Sequence, residues 1–362
     1  MRVLLIQPPK LNSLGYRGTS LSEPLALESI ASVLIPEHEV EIHDGRLEPD
    51  YQRRVASFGP AVVGVTASFT TDVYAVREVL SQIRQYDSRI RLLVGGHHAT
   101  LKHDDFAGYA DAVVLGEGEV TAVEVLRRWE RGEDLSGVDG VVFSVPGGWQ
   151  VNEPRALIED LDALPIPARH LVIDHQRHYH HGPWKPCTVV ETTRGCPYRC
   201  IFCSVWKFFH GRYRTRSARR VVEEVAQATT PYVIFSDDNF LVDVPRAQEI
   251  CEGIRARGIR KKFMMQVRTD TVVRHPEVIA NWADVGLRRV FVGYESFTQE
   301  GLDALNKRNS LEANEEAVHI LAKHGIEVIT SFIVEPVYTR EDFANLRRYV
   351  RRMRLFSPIF TV

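Results

Sequence analysis

The sequence lacks any long run of apolar residues. Across its 362 residues, no stretch approaches the ~20 consecutive apolar residues that a membrane-spanning helix needs. The apolar N-terminal run MRVLLI is soon interrupted by Pro8 and Pro9, so it is too short for a signal peptide. We therefore expect a cytoplasmic protein without a transmembrane segment.

Cysteines are also few, and the net charge is close to zero. Five cysteines are too few for a disulfide scaffold, and three of them fall close together at Cys196, Cys200 and Cys203. Lys and Arg number 45 against 47 Asp and Glu, so the formal net charge of −2 gives no overall basic field for nucleic acid. The basic segment 207–220 is interpreted as a solvated or packed face, and no nucleic-acid partner is expected. The clustered cysteines instead predict a metal centre in a reducing compartment.

The first part of the chain alternates short β-branched runs with segments of helical period. Five runs predict buried parallel strands, and the segment 71–86 predicts an amphipathic helix with Thr71 as its candidate N-cap. The five runs are residues 2–7, 40–43, 61–67, 91–96 and 111–119. This alternation predicts a doubly wound, Rossmann-like parallel sheet, which binds ligands beyond the carboxyl ends of its strands.

The composition changes after residue 130. The segment 141–151 has the Pro-Gly-Gly turn of a short hairpin, and a polar, histidine-rich stretch follows it. Strand and helix patterns then resume and predict an α/β (β/α)6 partial TIM barrel. Its six strand-like runs are residues 187–193, 231–238, 262–268, 288–296, 327–336 and 357–362.

These patterns predict three parts: a sheet domain over 1–135, a connector with a short hairpin over 136–185, and a barrel over 186–362. The chain ends on a predicted central strand of the barrel. A terminus usually follows an element that protects the sheet edge. We therefore expect that C-terminal residues are missing from this sequence or that a partner covers the edge.

The three clustered cysteines form the pattern CxxxCxxC in a loop after the first predicted barrel strand. Three thiolates can hold three corners of an iron–sulfur cubane and leave one iron open to another ligand. Zinc is the alternative metal. Structural zinc sites usually have two pairs of ligands, and Cys187 and Cys251 form no second pair. The pattern favours a reactive iron–sulfur centre.

This motif resembles the signature of the radical S-adenosylmethionine (SAM) superfamily, in which an aromatic residue precedes the last cysteine, as Phe202 does here. The resemblance implies a [4Fe–4S] cluster held by Cys196, Cys200 and Cys203, with SAM on the open iron. One-electron reduction then releases a 5′-deoxyadenosyl radical. The resemblance also implies an electron donor such as flavodoxin or ferredoxin, and no catalytic residue beyond the cluster ligands.

The same resemblance places a SAM contact after the second barrel strand. Ser236, Asp237 and Asp238 stand where members of the superfamily bind the methionine amino group. An Asp-rich helix cap is the alternative interpretation of this segment. We expect all three residues to contact the cofactor.

Two further SAM contacts are implied at the ends of the third and fourth barrel strands. Glu295 and Ser296 end the fourth strand and correspond to contacts with the methionine or ribose portion. Arg268 ends the third strand, where its guanidinium can pair with the methionine carboxylate. An ion pair with Asp270 or with Glu295 is an equal alternative.

The first domain resembles the cobalamin-binding domain of a large radical SAM subgroup. Small hydroxyl residues and glycines at its strand ends suit an amide-rich ligand with a nucleotide tail. The candidate cobalamin contacts are Thr66, Ser68, Gly95, Gly96, Gly116, Glu117 and Gly118. The DxHxxG motif, which supplies a lower axial histidine in other cobalamin proteins, is absent from QPPKLNSLGYRG after the first strand. We therefore expect cobalamin without that histidine ligand.

Together the two resemblances imply a cobalamin-dependent radical SAM enzyme, most simply a C-methyltransferase acting on an unactivated carbon. Radical cyclases, oxidoreductases and rearrangement enzymes with the same two domains are the first alternative. A non-catalytic cobalamin or iron–sulfur sensor is the second. The expected substrate is a small molecule, and lipid, tetrapyrrole and natural-product scaffolds all fit, because the cofactors carry the chemistry.

Overall fold

The computed structural model describes residues 1–9 and 20–361, and the chain divides into two compact units, Met1–Tyr179 and His180–Val362. Much of the expected connector, including its hairpin, therefore belongs to the first unit. No helix in the described part of the chain is long and apolar enough to cross a membrane.

The first unit is an α/β sheet domain. Its elements in chain order are β1 (Arg2–Gln7), α1 (Leu25–Leu34), β2 (Glu39–Asp44), α2 (Tyr51–Phe58), β3 (Val62–Thr66), α3 (Val73–Tyr86), β4 (Arg91–Gly95), α4 (His97–Leu101), β5 (Ala112–Val114), α5 (Gly118–Glu130), β6 (Val141–Val145) and β7 (Gly148–Val151). Short 3-10 helices cover Thr70–Asp72, His103–Phe106, Leu161–Ala163 and Arg169–His178.

Seven described strands of this unit form one sheet in the order β2-β1-β3-β4-β5-β6-β7. The first five are parallel, and β6 and β7 add an antiparallel hairpin at one edge. This is a doubly wound order, in which ligands bind beyond the carboxyl ends of the strands near the point where the order reverses. The predicted Rossmann-like sheet is confirmed.

Both faces of this sheet are buried. Leu4 and Ile6 of β1 belong to the core that contains α2 and α3, whereas Val3 and Leu5 belong to the core that contains α1 and α5. Successive side chains of a strand point to opposite faces, so a run of apolar residues can fill two cores. One detail of the prediction is wrong: α3 begins at Val73, and Thr71 lies in the preceding 3-10 turn rather than at the N-cap.

The second unit alternates strands and helices. Its elements are β8 (Cys187–Val190), α6 (Val205–Phe208), α7 (Ala218–Gln227), β9 (Tyr232–Phe235), α8 (Val244–Ala256), β10 (Lys262–Val267), α9 (Thr269–Arg274), α10 (Pro276–Val285), β11 (Leu287–Glu295), α11 (Gln299–Ala304), α12 (Leu311–Lys323), β12 (Glu327–Ile333), α13 (Arg340–Arg352) and β13 (Ser357–Thr361). The two-residue strands Thr193–Arg194 and Arg214–Thr215 form a short antiparallel ribbon after β8.

The larger sheet of this unit has the order β8-β9-β10-β11-β12-β13, and every neighbouring pair is parallel. Sequential parallel strands joined by helices confirm the predicted partial barrel. The last strand is an edge strand, because the described residues pair β13 with β12 alone. The expectation of a central final strand is therefore wrong. Val362 lies outside the described residues.

Polar side chains start several helices of the second unit. Asp243 caps α8, Ser310 caps α12, and Thr339 with Asp342 forms a reciprocal capping box at α13. Each of these side chains satisfies a backbone N–H that has no partner within its helix. The caps fix where the helices begin and so where the loops at the strand ends lie.

An aromatic cluster holds β9 and β10 against α10. Trp282 of α10 is fully buried and meets Phe235, Phe240 and Phe263 edge to face, with ring centroids 5.2–5.8 Å apart. Its indole N–H donates to the carbonyl oxygen of Ala247 on α8 at 3.1 Å. This packing holds β9, the loop that follows it and β10 against α10.

Candidate functional site

The cysteine loop follows β8 and lies between the two strands of the short ribbon. All five cysteines are free, and Cys200 is buried while Cys196 and Cys203 are half-buried. The loop begins at Gly195, whose φ is +89° and whose position would bring a Cβ into the carbonyl oxygen of Arg212. Only glycine meets both conditions, so this turn directs the chain into the cysteine motif.

Burial sets the chemistry of two of these thiols. It raises the pKa of Cys196 to about 11 and also raises the pKa of Cys203. Backbone N–H groups of Tyr198 and of Val205 act against this by hydrogen bonding to the two sulfurs. The thiols of Cys196 and Cys203 therefore stay protonated at neutral pH, and binding iron must displace those two protons.

The donor set fits an iron–sulfur cubane. Cysteine thiolates are the preferred ligands of such clusters, and N–H groups directed at sulfur tune them. Within residues 1–9 and 20–361, no group of three or more His, Cys, Asp and Glu side chains is arranged to hold a metal ion. In a cubane each thiolate binds its own iron, so the sulfurs do not have to converge on one point.

The segment 305–308, which we call the clasp loop, is hydrogen-bonded to the cysteine loop. The backbone N–H of Ile201 donates to the carbonyl oxygen of Leu305 at 3.2 Å. The side-chain amide of Asn306 donates to the carbonyl oxygen of Arg199 at 2.7 Å. Asn306 has a φ of +50°, a strained value that these contacts help to maintain. The clasp loop therefore contributes directly to the cysteine-loop conformation.

Glu295 is fixed by an ion pair at the end of β11. Its carboxylate accepts from Lys307 Nζ at 2.9 Å and from Ser331 Oγ at 3.3 Å, and both charged side chains are buried. Glu295 has a φ of +63° at an irregularity in the β11–β12 pairing. The Lys307 ammonium also lies 5.8 Å from the ring centroid of Phe202 in the cysteine loop. Cofactor contacts by Glu295 and Phe202 stay predictions.

Arg268 connects three segments of the site. Its guanidinium stacks on the Tyr198 ring at 3.8 Å from the centroid, pairs with Asp270 at 2.9 Å and donates to the Arg308 carbonyl oxygen at 2.8 Å. The Asp270 alternative is thus the pairing present in the structure, whereas Glu295 is paired with Lys307. A direct contact of Arg268 with the methionine carboxylate stays a prediction.

Asp237 is buried and supports the chain after β8. Its carboxylate accepts from the backbone N–H groups of Thr192 and Thr193 at 2.7 and 2.6 Å, and from the Thr192 hydroxyl at 2.7 Å. Burial nevertheless raises its pKa to about 6. This carboxylate holds the two residues that lead into the cysteine loop, and its predicted contact with SAM is untested.

Asp238 presents its carboxylate differently. The side chain is accessible to solvent, but the surrounding protein limits its hydration, and this desolvation raises its pKa to about 7. The nearby carboxylates of Asp237 and Glu191 raise it further. Its charge also acts on the thiols of Cys196 and Cys203. An accessible carboxylate surrounded by other acids suits a cationic ligand such as the SAM amino group.

The two predicted serines occupy backbone-supporting positions. The backbone N–H of Ser236 donates to the Val190 carbonyl oxygen at 3.0 Å, which continues the β8–β9 pairing by one residue. Ser296 is buried, and its hydroxyl accepts from the Thr298 backbone N–H at 3.2 Å before α11. Their contacts with SAM stay predictions.

In the first unit, the loops after β3 and β4 are linked to each other. Ala67 donates its N–H to the Gly95 carbonyl oxygen at 2.7 Å, and His98 donates its N–H to the Ala67 carbonyl oxygen at 3.0 Å. Gly96 has a φ of +114°, and a Cβ there would come within 2.9 Å of the same carbonyl oxygen. The close approach of the two loops therefore requires glycine.

The hydroxyl groups at this sheet edge also form hydrogen bonds. Thr66 Oγ1 and Ser68 Oγ lie 3.1 Å apart. Thr100 Oγ1 donates to the Gly96 carbonyl oxygen at 3.0 Å and accepts from the Gly116 N–H at 2.9 Å, which joins the loops after β4 and β5. The predicted residues after three strands are thus gathered at one sheet edge, with Thr100 as a link that the glycine pattern did not indicate.

The last three predicted cobalamin residues have different surroundings. Gly116 has a φ of +71°, and a Cβ there would meet nothing within 4 Å, so it borders open space. Glu117 accepts from the Ile158 N–H at 2.7 Å. Gly118 begins α5, where a Cβ would come 2.9 Å from Ile30. Open space beside Gly116 fits a bound ligand, whereas Gly118 permits helix packing.

Most of the segment QPPKLNSLGYRG, on which the lower-axial-ligand expectation depends, lies outside the described residues. The expectation stays a prediction.

Comparison with known proteins agrees with both sites, the cysteine loop of the second unit and the sheet edge of the first unit. Residues 190–350 match the Radical SAM superfamily, and residues 18–126 match the B12 binding domain. The first match contains the cysteine loop, Asp238 and most of the barrel, including the clasp loop. The second contains the linked loops after β3, β4 and β5. The two matches define a radical SAM protein with a cobalamin-binding domain.

Relatives of known activity cover nearly the whole chain. The hopanoid C-3 methylase of Methylococcus capsulatus is 32% identical over 357 residues, which is 96% of this chain and 68% of that protein. The anaerobic magnesium-protoporphyrin IX monomethyl ester cyclase of Rubrivivax gelatinosus is 28% identical over 83% of this chain and 56% of that protein. The chain thus spans about two thirds of the first relative and about half of the second.

The structure of the radical SAM methyltransferase TsrM from Kitasatospora setae, with cobalamin and a [4Fe–4S] cluster bound, has the same fold. It matches 99% of this chain and 74% of TsrM at 20% identity, with a TM-score of 0.81. The chain belongs to the cobalamin-dependent radical SAM enzymes. The predicted cofactors, namely a [4Fe–4S] cluster, SAM and cobalamin, are confirmed. The comparisons support an enzyme over the sensor alternative.

Proposed function

We propose that this protein is a C-methyltransferase that adds a methyl group to an unactivated carbon of an apolar, polycyclic small molecule. The observation that carries this proposal is the 32% identity to a hopanoid C-3 methylase over 96% of the chain. When bound, the cluster and SAM supply hydrogen abstraction, and cobalamin supplies the methyl group. A lipid of the hopanoid kind is the first substrate to test, and a tetrapyrrole is the second.

The protein's own residues have positioning and electrostatic tasks in this proposal. The Asp238 carboxylate offers a counter-charge to the SAM amino group beside the cysteine loop. The Glu295–Lys307 pair and the Arg268–Tyr198 stack keep that loop in place. Such fixed geometry is what a hydrogen abstraction needs, because the reacting atoms must be held near contact distance.

A radical cyclase is the second candidate, because cyclases are also among the relatives that match this chain. A cyclase would consume SAM and form 5′-deoxyadenosine but would place no methyl group in the product. The fate of the SAM methyl group therefore separates the two candidates.

The test uses SAM with a deuterated methyl group. Reconstituted enzyme is incubated under strong reduction with a hopanoid or with magnesium protoporphyrin IX monomethyl ester, and products are analysed by mass spectrometry. We expect a labelled methyl group in the hopanoid together with 5′-deoxyadenosine. The Cys200→Ala variant is the control and is expected to form neither. An unlabelled, cyclised porphyrin product would contradict methyl transfer and support the cyclase.

We also infer a cytoplasmic location and a small electron-transfer partner such as flavodoxin or ferredoxin. Five free thiols fit a reducing compartment. Reductive cleavage of SAM consumes one electron, and the proposed reaction needs a protein that delivers it. Purified flavodoxin with its reductase should support 5′-deoxyadenosine formation in place of a chemical reductant.

A further inference from the structure

A chain of hydrogen bonds runs through the buried histidine after β4. His98 is 6% exposed; its Nε2 lies 2.9 Å from Asp105 Oδ2, and its Nδ1 lies 3.1 Å from Thr70 Oγ1. The Phe106 ring packs edge-on against the imidazole with centroids 6.1 Å apart. We call these three polar residues the Thr70–His98–Asp105 relay.

The far end of the relay is anchored by a cation. Arg77 Nη2 donates to Asp105 Oδ1 at 3.1 Å, and Arg77 Nε donates to the Asp105 backbone oxygen at 2.5 Å. Arg77 therefore occupies one carboxylate oxygen and leaves the other for His98. Because an ionised carboxylate can only accept, the shared proton between Asp105 and His98 belongs on Nε2.

The near end of the relay lies at the ligand-binding edge of the sheet. Thr70 is exposed and follows β3 in the loop that contains Ser68. A neutral imidazole that carries its proton on Nε2 can only accept at Nδ1, so the Thr70 hydroxyl must donate to it. The Thr70 oxygen then has only lone pairs left for a ligand.

We propose that the Thr70–His98–Asp105 relay orients the Thr70 hydroxyl as a hydrogen-bond acceptor for an amide N–H of cobalamin. Cobalamin carries several primary carboxamides around its ring, and each offers N–H donors. Thr70 contacts the cofactor, whereas His98 and Asp105 are positioning residues that fix the direction of its hydrogen bond. This inference depends on cobalamin binding by the first unit and is independent of the methyl-transfer proposal.

The first measurement is the histidine tautomer in the full-length protein. Histidine labelled with ¹⁵N reports by NMR which ring nitrogen carries the proton. The chain has 14 histidines, so the His98 signals are identified by their absence in His98→Gln. We expect a neutral ring protonated on Nε2. A proton on Nδ1, or an imidazolium at neutral pH, would overturn the proposal.

The Asp105→Asn substitution should reverse the direction of the hydrogen bonds along the relay. Arg77 holds the amide oxygen on its own side, so the amide NH2 faces His98 and donates to Nε2. The imidazole proton must then move to Nδ1 and donate to Thr70, whose own hydrogen turns toward the ligand. We expect the His98 tautomer to switch and hydroxocobalamin to bind about tenfold more weakly.

Matched variants separate this effect from a loss of folding. Asp104→Asn is the same substitution one residue earlier, where the side chain is 95% exposed, and it should leave the tautomer and the affinity unchanged. Thr70→Ser keeps the hydroxyl and should bind hydroxocobalamin more tightly than the Thr70→Val variant. Thr70→Val has the same shape without the hydroxyl and should bind about tenfold more weakly. Wild-type affinity in Thr70→Val would overturn the proposed contact, even if the tautomer is as expected.

Discussion

At the scale of single residues, Asp237 and Asp238 show how two consecutive carboxylates acquire different tasks. Asp237 is buried and accepts three hydrogen bonds from Thr192 and Thr193, so its role is to hold the chain before the cysteine loop. Asp238 is accessible, and its charge is felt by the nearby thiols. Its pKa is raised by burial and by the carboxylates of Asp237 and Glu191, so the arrival of a cationic ligand stabilises its charged form.

Asp238 predicts a pH dependence of stability in the cofactor-free protein. Its pKa is about 7 in the folded state against a usual value near 4, so the folded protein binds a proton that the unfolded chain has released. Loss of this proton from Asp238 therefore lowers the free energy of unfolding as the pH rises from about 4 to about 7. Asp238→Asn should raise the thermal midpoint at pH 8 by roughly 2–4 °C, limited by solvent screening, with no gain near pH 4.

The control for this measurement is Asp284→Asn, which removes an exposed carboxylate of the same unit. It should show no such difference between pH 4 and pH 8. A constant offset of Asp238→Asn at all pH values, or a lower midpoint at pH 8, would show that the Asp238 charge does not oppose folding.

The sequence alone identifies the cysteine ligands but not the residues that hold the cysteine loop in place. The CxxxCxxC spacing is local, so Cys196, Cys200 and Cys203 are visible in the sequence alone. Asn306 contacts Arg199 across 107 positions, and no spacing rule connects residues so far apart. The Arg268–Asp270 pair, one of two predicted alternatives, joins residues that are only two positions apart. The stack of Arg268 on Tyr198 required the fold.

At the scale of elements, apolar runs predicted the strands well and their ends less well. The run 187–193 was expected to form one strand, but β8 ends at Val190 and the short ribbon takes over at Thr193. The interruption occurs where Asp237 binds Thr192 and Thr193 and replaces strand pairing. Side chains from another loop thus decide where the strand stops, and a local pattern cannot show this.

The clasp loop predicts the effect of Arg268→Lys. Lysine keeps the charge but cannot stack on Tyr198 while it also binds Asp270 and the Arg308 carbonyl oxygen. We expect the free energy of unfolding to fall by about 1–2 kcal/mol. We also expect reconstituted protein to lose iron to a chelator several-fold faster than wild type. Urea denaturation and the absorbance of the chelated iron measure the two effects.

Arg274→Lys is the matched control. Arg274 pairs with the same Asp270 at 2.9 Å, but it is 59% exposed and has no stacking partner among the contacts described for it. It should change stability by less than about 0.5 kcal/mol and leave iron loss unchanged. Equal effects of the two variants would show that the Asp270 pair, rather than the Tyr198 stack, holds the cysteine loop.

At the scale of the whole molecule, two units with different sheets carry the two cofactor-binding regions. The regular alternation of strands and helices is sufficient to predict both architectures, because most strands are buried and the longer helices have an apolar face. The limit between the units, at Tyr179 and His180, lies within the connector predicted over 136–185. The polar, histidine-rich stretch around it looks like a linker in sequence, although Tyr179 itself is fully buried.

The central claim is that one chain binds both an iron–sulfur cluster and cobalamin, in separate units. The most direct test is iron and cobalt analysis after anaerobic reconstitution with iron, sulfide and hydroxocobalamin. We predict about four irons and about one cobalt per wild-type chain. Cys200→Ala should lose the iron and keep the cobalt, and Cys251→Ala, in the core of α8, should keep both. Wild-type protein that binds iron without cobalt, or a Cys200→Ala variant that keeps its iron, would contradict the account.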